Sequence, residues 1–135
     1  MNACVLCAPA SADDLLFEDD AARVLLHPDW SPRGHLMIVA REHVENAADL
    51  DEERWLAFAR VWHRTERILL DLTGADRSIA VKLGILTPHL HVHLHPVPAT
   101  ATREEVFAWI DAKARDARDE SFVAELRGRL TPGSR

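Results

Sequence analysis

Pro88-His89-Leu90-His91-Val92-His93-Leu94-His95-Pro96 is the stretch around which the chain is organised. Histidine alternates there with Leu and Val, and a period of two is typical of a β-strand. Successive side chains of a strand point to opposite faces, so the pattern predicts Leu90, Val92 and Leu94 in a core and four imidazoles on the other face. Histidines two apart lie roughly 6.5–7 Å apart along a strand, close enough for several to act on one small anion or one metal ion.

Three interpretations of this strand are open from residue types. A solvated sheet face is disfavoured, because imidazole is a poor choice for plain solubility and half of the chain's eight histidines lie here. Alternate strand histidines also suit the chelation of a transition metal ion. The third interpretation is a catalytic set for phosphoryl chemistry, with one imidazole as nucleophile and its neighbours as hydrogen-bond donors.

The segment from His89 to Pro96 resembles the His-φ-His-φ-His-φ-φ signature of the histidine triad (HIT) nucleotide hydrolases and transferases. A proline often follows that signature, and an opening Pro-His-Leu-His is common among bacterial members. A frame that begins at His91 also fits the signature. The position of Pro96 favours His89 as the first member of the triad.

A second segment, residues 17–44, resembles the same family. It contains a Glu-Asp-Asp turn, a proline-bearing loop, the pair Gly34-His35, an apolar strand and a basic-His-Val end. Residues 1–98 carry the resemblance, whereas the C-terminal helical part, residues 102–130, is inferred from pattern alone.

The periodicity predicts five strands, at residues 15–18 before an acidic turn and at residues 23–26, 35–40, 78–83 and 89–95. A helix is expected over residues 49–72, with Asp49 or Asp51 as its cap, and a second helix should open at the capping box of Thr102 and Glu105. Val106, Trp109 and Ile110 form the expected buried stripe of that second helix, and the apolar pattern resumes after a break near Ser121. Pattern and resemblance together predict an α+β HIT-like fold: an antiparallel sheet of about five strands with two main helices, in a single domain of residues 1–135.

Composition limits the classes of partner. The 135 residues carry a net charge of −6, which disfavours binding to a nucleic-acid backbone. No apolar run approaches the roughly 18 residues that a membrane span needs, and no secretory signal pattern opens the chain. We therefore expect a cytoplasmic protein that binds neither nucleic acid nor a membrane. The resemblance to HIT proteins implies a small-molecule nucleotide as its partner.

The pair Cys4 and Cys7 forms a C-x-x-C motif that is open to redox chemistry, half a zinc site or no role. Redox catalysis is disfavoured because no βαβ pattern follows. In HIT proteins with such an N-terminal pair the cysteines bind a structural zinc, which needs two more nitrogen or sulfur ligands. If the strands that contain His43 and His89 at their ends are antiparallel neighbours, both histidines fall at the same edge of the sheet. A zinc site of Cys4, Cys7, His43 and His89 follows; the alternative leaves His89 as a donor on the phosphate side.

The resemblance implies the roles of the remaining histidines. His91 is the expected nucleophile, His93 the donor to phosphate oxygens or the leaving group, and His35 the supporting histidine. The chemistry needs no cofactor. The implied substrate-binding residues are His27, Asp29, Thr87 and His95.

Two departures from the family pattern bear on activity. Ile85 and Leu86 occupy positions where many HIT hydrolases have a glutamine or serine that contacts the phosphate and the leaving group, so Thr87 is the one donor left there. Many members also have an aspartate that holds the ribose hydroxyls, and His27 takes its place, with Asp29 close by.

The predicted function is that of a nucleotide hydrolase or nucleotidyltransferase acting on a nucleoside phosphoramidate or dinucleoside polyphosphate through a covalent nucleotidyl-histidine. The alternative is a non-catalytic, zinc-holding nucleotide-binding or interaction protein of the same fold. The resemblance also implies a homodimer. Four tryptophans in a small domain agree with an aromatic interface.

Overall fold

The computed structural model describes residues 4–27, 33–111 and 117–131. Its strands and helices occur in runs, as in an α+β protein: three strands, a helix, two strands and two helices, with a 3₁₀ turn at Ala47–Asp49 before the first helix. The strands are β1 Leu15–Glu18, β2 Ala22–Leu26, β3 Leu36–Ala40, β4 Arg77–Val81 and β5 His91–Val97. The helices are α1 Glu52–Thr73, α2 Arg103–Ile110 and α3 Glu120–Leu130.

The five strands form one antiparallel sheet in the order β1-β2-β3-β5-β4. This confirms the predicted fold class and the antiparallel pairing of the two histidine-bearing strands, since Val39 of β3 lies opposite His91 of β5. The last strand begins and ends two residues later than the predicted range of 89–95. Its partner β3 ends at Ala40, so Leu90 bonds instead to Ala40 and to Val44, beyond the regular ladder.

One face of the sheet forms the hydrophobic core. Leu90, Val92 and Leu94 are 2 %, 3 % and 0 % exposed, which confirms the predicted burial of these three side chains in the core. Helices α1 and α3 cover this face. The buried residues of α1 recur at helical spacing and are Phe58, Val61, Thr65 and Leu69.

Helix α1 has the ends that its sequence predicts. Asp51 is the N-cap and accepts a hydrogen bond from the backbone N–H of Arg54. Asp49 instead ends the preceding 3₁₀ turn, where its carboxylate accepts from the backbone N–H of the N-cap Asn46. Gly74 ends the helix in the left-handed conformation, with φ of 69°. None of the helices in the described ranges has the length and apolarity required to cross a membrane.

The C-terminal part differs from the expectation of two main helices. The capping box of Thr102 and Glu105 opens α2 as predicted. Its apolar stripe of Val106, Trp109 and Ile110 is only partly buried, because α2 packs mainly against one element, β5. The pattern that resumes near Ser121 is a separate helix, α3, which packs on α1 and β1. The buried residues of α3 are Phe122, Val123, Leu126 and Leu130.

Gly34 allows the backbone before β3 to pass close to β5 and α1. Its φ is +98°, and a Cβ at this position would lie 3.1 Å from Pro96 Cγ and 3.2 Å from Leu69 Cδ1. A side chain would meet both an unfavourable backbone conformation and a steric clash. The next residue is His35, so this close contact between the loop, α1 and β5 positions one histidine of the site.

Candidate functional site

His91 stands at the start of β5 and is half-buried. Its Nδ1 lies 2.6 Å from the backbone carbonyl oxygen of His89. A carbonyl oxygen only accepts hydrogen bonds, so Nδ1 must carry the proton and Nε2 keeps its lone pair. The strand backbone therefore selects the tautomer in which Nε2 of His91 is free to attack an electrophile.

His93 and His35 form a pair beside His91. His35 Nε2 and His93 Nδ1 are 3.0 Å apart, and the rings of His91 and His93 meet edge to face with centroids 5.2 Å apart. Strand β3 supplies this contact, because His35 immediately precedes the strand that pairs with β5. The alternation of β5 and the Gly34-His35 junction thus bring three histidines from two distant segments together.

The pKa of His93 is lowered from 6.5 to about 3. Burial is the largest cause, followed by the positive charges that His27, His91 and His95 would carry when protonated. The imidazole of His93 is therefore neutral near pH 7. It can donate a hydrogen bond through one nitrogen while the other meets His35.

Cys4, Cys7, His43 and His89 form a second cluster at the edge of the sheet, with the four ligand atoms all within 4.8 Å of one another. Nδ1 of His43 and Nδ1 of His89 are 3.1 Å apart, and Cys7 Sγ lies 3.1 Å from His43 Nδ1. Both sulfurs lie 3.4 Å from His89 Nδ1. Ligand atoms of a tetrahedral zinc ion lie roughly 3.3–3.8 Å apart, so this cluster could hold a metal ion.

The surroundings of His89 also suit a metal ligand. Its Nε2–H donates to the backbone carbonyl of Ala40 at 2.7 Å, which leaves Nδ1 unprotonated and turned toward the cysteines. Burial lowers the pKa of His89 and favours the neutral imidazole that metals bind. The rings of His43 and His89 are inclined by 78°, so their in-plane lone pairs converge from different directions.

A second set of donors, His27, His35 and His93, also lies within the same distance limit. The rings of His27 and His35 are stacked, with centroids 4.3 Å apart and planes inclined by only 14°. A metal ion must lie near the plane of each imidazole that binds it, and two stacked planes do not share such a point. The stacked arrangement suits packing and hydrogen bonding better than coordination.

The predicted substrate-binding residues differ in position and burial. His27 is half-buried, and its ring centroid lies 5.3 Å from that of His93. His95 is 2 % exposed and stacks on His35 with ring centroids 3.9 Å apart, and its predicted contact with substrate stays a prediction. Thr87 lies in the bend before His89, and its hydroxyl makes no hydrogen bond within the described ranges, although its carbonyl accepts one from His89 N–H. Asp29 lies outside the described residues.

Sequence patterns did not identify the backbone groups that orient the histidines. The carbonyls of His89 and Ala40 each fix one imidazole, and a carbonyl has no residue-type signal. Arg23 was also missed. Its guanidinium bonds to the carbonyls of Leu6 and Ala8 and so holds the N-terminal segment against β2.

A cleft of about 720 Å³ lies beside the end of β3. It is bounded by the β1–β2 turn, the end of β3 and the first half of α1, and its charged walls are already partly paired, for example Arg54 with Glu42. Its lining contains no histidine or cysteine. Among the described residues, the chemistry is therefore concentrated on β5 and its neighbours.

Comparisons with known proteins agree with this arrangement. A zinc-bound histidine triad family protein from Mycobacterium smegmatis is 24% identical, with a TM-score of 0.70 over 94% of this chain and 92% of that one. A histidine triad protein from Bradyrhizobium japonicum is also 24% identical, with a TM-score of 0.68 over 87% of this chain and 89% of that one. At these identities the likeness concerns the fold.

A more distant structure is a hypothetical histidine triad nucleotide-binding protein from Sulfolobus tokodaii. It is 19% identical, with a TM-score of 0.61 over 86% of this chain and 79% of that one. The comparison with curated proteins gives no match. The HIT domain family itself matches residues 9–99, which include β1 to β5, the histidine stretch and His43. Because this match spans more than half of the sequence, the chain belongs to the HIT domain family.

Proposed function

We propose that the chain binds a nucleotide at His35, His91 and His93 and transfers its nucleotidyl group to His91, as a nucleotide hydrolase or nucleotidyltransferase. The observation that carries this proposal is the 2.6 Å hydrogen bond from His91 Nδ1–H to the His89 carbonyl. This hydrogen bond turns Nδ1 to the backbone and leaves Nε2 as the nitrogen available for attack. The name of the Sulfolobus relative, a nucleotide-binding protein, supports the same class of ligand.

In the proposed reaction, Nε2 of His91 attacks the α-phosphorus of a nucleoside phosphoramidate or dinucleoside polyphosphate. The bond to the leaving group breaks, and the leaving group departs with the bonding electron pair. A water molecule, or another acceptor in the case of transfer, then displaces His91 and releases the nucleotide. The intermediate divides one difficult displacement into two easier ones.

His93 supports this reaction as a hydrogen-bond donor. With His35 Nε2–H donating to His93 Nδ1, the remaining Nε2–H of His93 is available to a phosphate oxygen or to the leaving group. Its lowered pKa makes it a neutral donor in the free protein. A bound phosphate would raise that pKa by its negative charge, so His93 becomes a better proton donor once substrate is present.

The cluster of Cys4, Cys7, His43 and His89 is proposed to hold a structural zinc ion. Two thiolates and two imidazoles match the ligands and geometry that structural zinc prefers. The name of the Mycobacterium smegmatis relative, a zinc-bound protein, is consistent with this choice. When bound, zinc would link the N-terminal segment to the ends of β3 and β5, and His91 would remain outside the metal site.

A second candidate function has one observation in its favour. Ile85 and Leu86 are 79 % and 97 % exposed, so the bend before the triad presents apolar side chains where a hydrolase needs donors. A non-catalytic nucleotide-binding or interaction protein of the same fold would tolerate this substitution. The first candidate function requires turnover of a nucleotide substrate, and the second predicts none.

The experiment is a turnover assay with adenosine phosphoramidate and a panel of dinucleoside polyphosphates. Wild-type protein should release the nucleotide and, when quenched, show by intact mass a nucleotide covalently attached to His91. His91→Ala should lose at least about 10³-fold in kcat/KM and form no adduct, because the nucleophile is gone. Full activity of His91→Ala would reject the mechanism, and binding of nucleotide without turnover in wild type would favour the second candidate.

A further inference from the structure

The two cysteines stand on a tight turn that brings their backbones together. The backbone N–H of Cys7 donates to the carbonyl of Cys4 at 3.1 Å, which closes a turn of four residues. The Cα atoms at the ends of such a turn lie within about 7 Å of each other. Disulfides join residues whose Cα atoms lie roughly 4.4–6.8 Å apart, so the turn is compatible with a bond between the two sulfurs.

Solvent reaches this cysteine pair through Cys7. Cys7 is exposed and Cys4 is half-buried, and both are free thiols. Their sulfur atoms lie within 4.8 Å of each other and of Nδ1 of His43 and His89. The atoms that would bind a metal ion can therefore also react with one another and with an oxidant from solvent.

We propose that Cys4 and Cys7 are a modification site, which a hydroperoxide oxidises to an intramolecular disulfide in competition with metal binding. The competition rests on the metal site of the proposed function, whereas the disulfide itself rests on the turn and the exposure of Cys7. A sulfur bound in a disulfide is no longer a thiolate and is a poor ligand for zinc. The oxidised cluster retains only two imidazoles of the four donors.

The chemistry balances with a hydroperoxide as the single co-reactant. The exposed Cys7 thiol loses its proton and attacks the peroxide, the O–O bond breaks, and hydrogen peroxide leaves a sulfenic acid on Cys7 and one hydroxide that is protonated to water. The Cys4 thiolate then attacks Cys7 Sγ, the S–S bond forms, and a second hydroxide leaves and is protonated. Two thiolates, two protons and one peroxide give one disulfide and two waters, and any metal ion is released with its charge unchanged.

The rest of the fold should withstand this change. Arg23 holds the N-terminal segment through the carbonyls of Leu6 and Ala8, independently of the cysteines. His89 is buried and keeps its bond to the Ala40 carbonyl. Oxidation should therefore release metal and free His43 without separating β3 from β5.

The test treats zinc-loaded and metal-free protein with hydrogen peroxide in parallel. Zinc release is followed with a metallochromic chelator, and the protein is then alkylated and weighed intact. We expect the loss of one zinc per chain together with one disulfide, seen as a chain two hydrogens lighter that takes up no alkylating agent. Dithiothreitol should restore both thiols and zinc binding, and far-UV circular dichroism should stay unchanged.

The metal-free arm separates the two proposals, because a protein that takes up no zinc rejects the metal site while its disulfide is still measured directly. Cys4→Ser is the matched control. It should gain oxygen on Cys7 under peroxide and form no internal disulfide. Three results with the wild type would overturn the proposed modification site. They are thiols that still react with the alkylating agent, thiols that add oxygen instead of pairing, and a disulfide between two chains. A disulfide formed while zinc stays bound would overturn the competition.

Discussion

The hydrogen-bond partners of each histidine determine which of its ring nitrogens carries the proton. His91 and His89 each donate one N–H to a backbone carbonyl, but through opposite ring nitrogens. The free nitrogen of His91 is therefore Nε2, and that of His89 is Nδ1 in the cysteine cluster. Two residues that are adjacent in the histidine pattern thus present different ring nitrogens to their surroundings.

Acid is expected to destabilise the native state through His93, whose pKa falls from 6.5 to about 3 on folding, mainly because of burial. As the pH falls through this range, the unfolded chain binds a proton on this imidazole and the native chain does not. The free energy of unfolding should therefore fall with decreasing pH, by up to about 1.4 kcal/mol per pH unit for this group.

His93→Asn removes this proton uptake and serves as the comparison. Urea unfolding of metal-free protein at about pH 7 and about pH 5 should show wild type losing roughly 2 kcal/mol more than the variant. The other titrating groups are shared, so their contributions largely cancel in the difference. Equal losses in the two proteins would mean that His93 titrates normally.

Both candidate sites lie along β5 and the residues just before it, because β5 is an inner strand of the sheet. Its pairing with β3 brings His35 beside His93. The same pairing brings His43, which follows β3, next to His89, which precedes β5. The loop before β3 is held by the close approach of Gly34 to β5 and α1. The position of one histidine of the candidate site, His35, therefore depends on a glycine.

Gly34→Ala should destabilise the protein by about 2–4 kcal/mol, because it adds positive-φ strain to a clash with Pro96 and Leu69. Gly128→Ala is the matched control. Gly128 lies in α3, and a Cβ there would meet nothing within 4 Å, so this change should stabilise the helix by about 0.5–1 kcal/mol. Urea unfolding measures both, and equal effects of the two substitutions would contradict the proposed packing role of Gly34.

Metal binding is expected to depend on the four clustered side chains. Protein purified without a histidine tag should contain about one zinc per chain. Cys4→Ser, Cys7→Ser and His43→Ala should each reduce this content, and chelation should lower the free energy of unfolding by roughly 2–4 kcal/mol. His63→Ala, an exposed histidine on α1, should leave zinc content and stability unchanged; wild type without metal and with full stability would reject the site.

Among the described residues, β4 is an edge strand with no further strand paired to it. This strand contains no proline and one charged residue, Arg77 at its start, so Ser78 to Val81 carry neither of these two features that usually block edge pairing. On the opposite side, β1 is covered: Arg127 of α3 bonds to the Leu15 carbonyl, and Arg118 pairs with Asp14. The two edges of the sheet therefore differ in their capacity to receive another strand.

A homodimer with paired β4 edges is the expected assembly. Light scattering at micromolar concentration should give twice the mass of one chain. Ala80→Lys, at an exposed position of β4, should shift the protein to the monomer while its circular dichroism stays unchanged, because like charges would meet across the paired edges. Wild-type protein that scatters as a single chain would contradict this prediction.

Local and periodic features of this chain were predictable from its residues. The alternation of histidine with Leu and Val predicted the strand and its buried face, because side-chain direction in a strand follows from backbone geometry. Asp51 and Gly74 marked the ends of α1, since caps act within one helical turn. The family signature, together with the C-x-x-C pair, also singled out the residues that the fold brings together in two clusters.

Other features depended on contacts between segments far apart in the chain. The burial of His95 behind His35, the tautomers of His89 and His91, and the separate helix α3 all depend on neighbours that folding supplies. Carbonyl acceptors such as that of Ala40 belong to every residue type, so no sequence pattern distinguishes them. Periodicity reports the direction of a side chain, whereas its depth, its tautomer and its pKa depend on what packs against it.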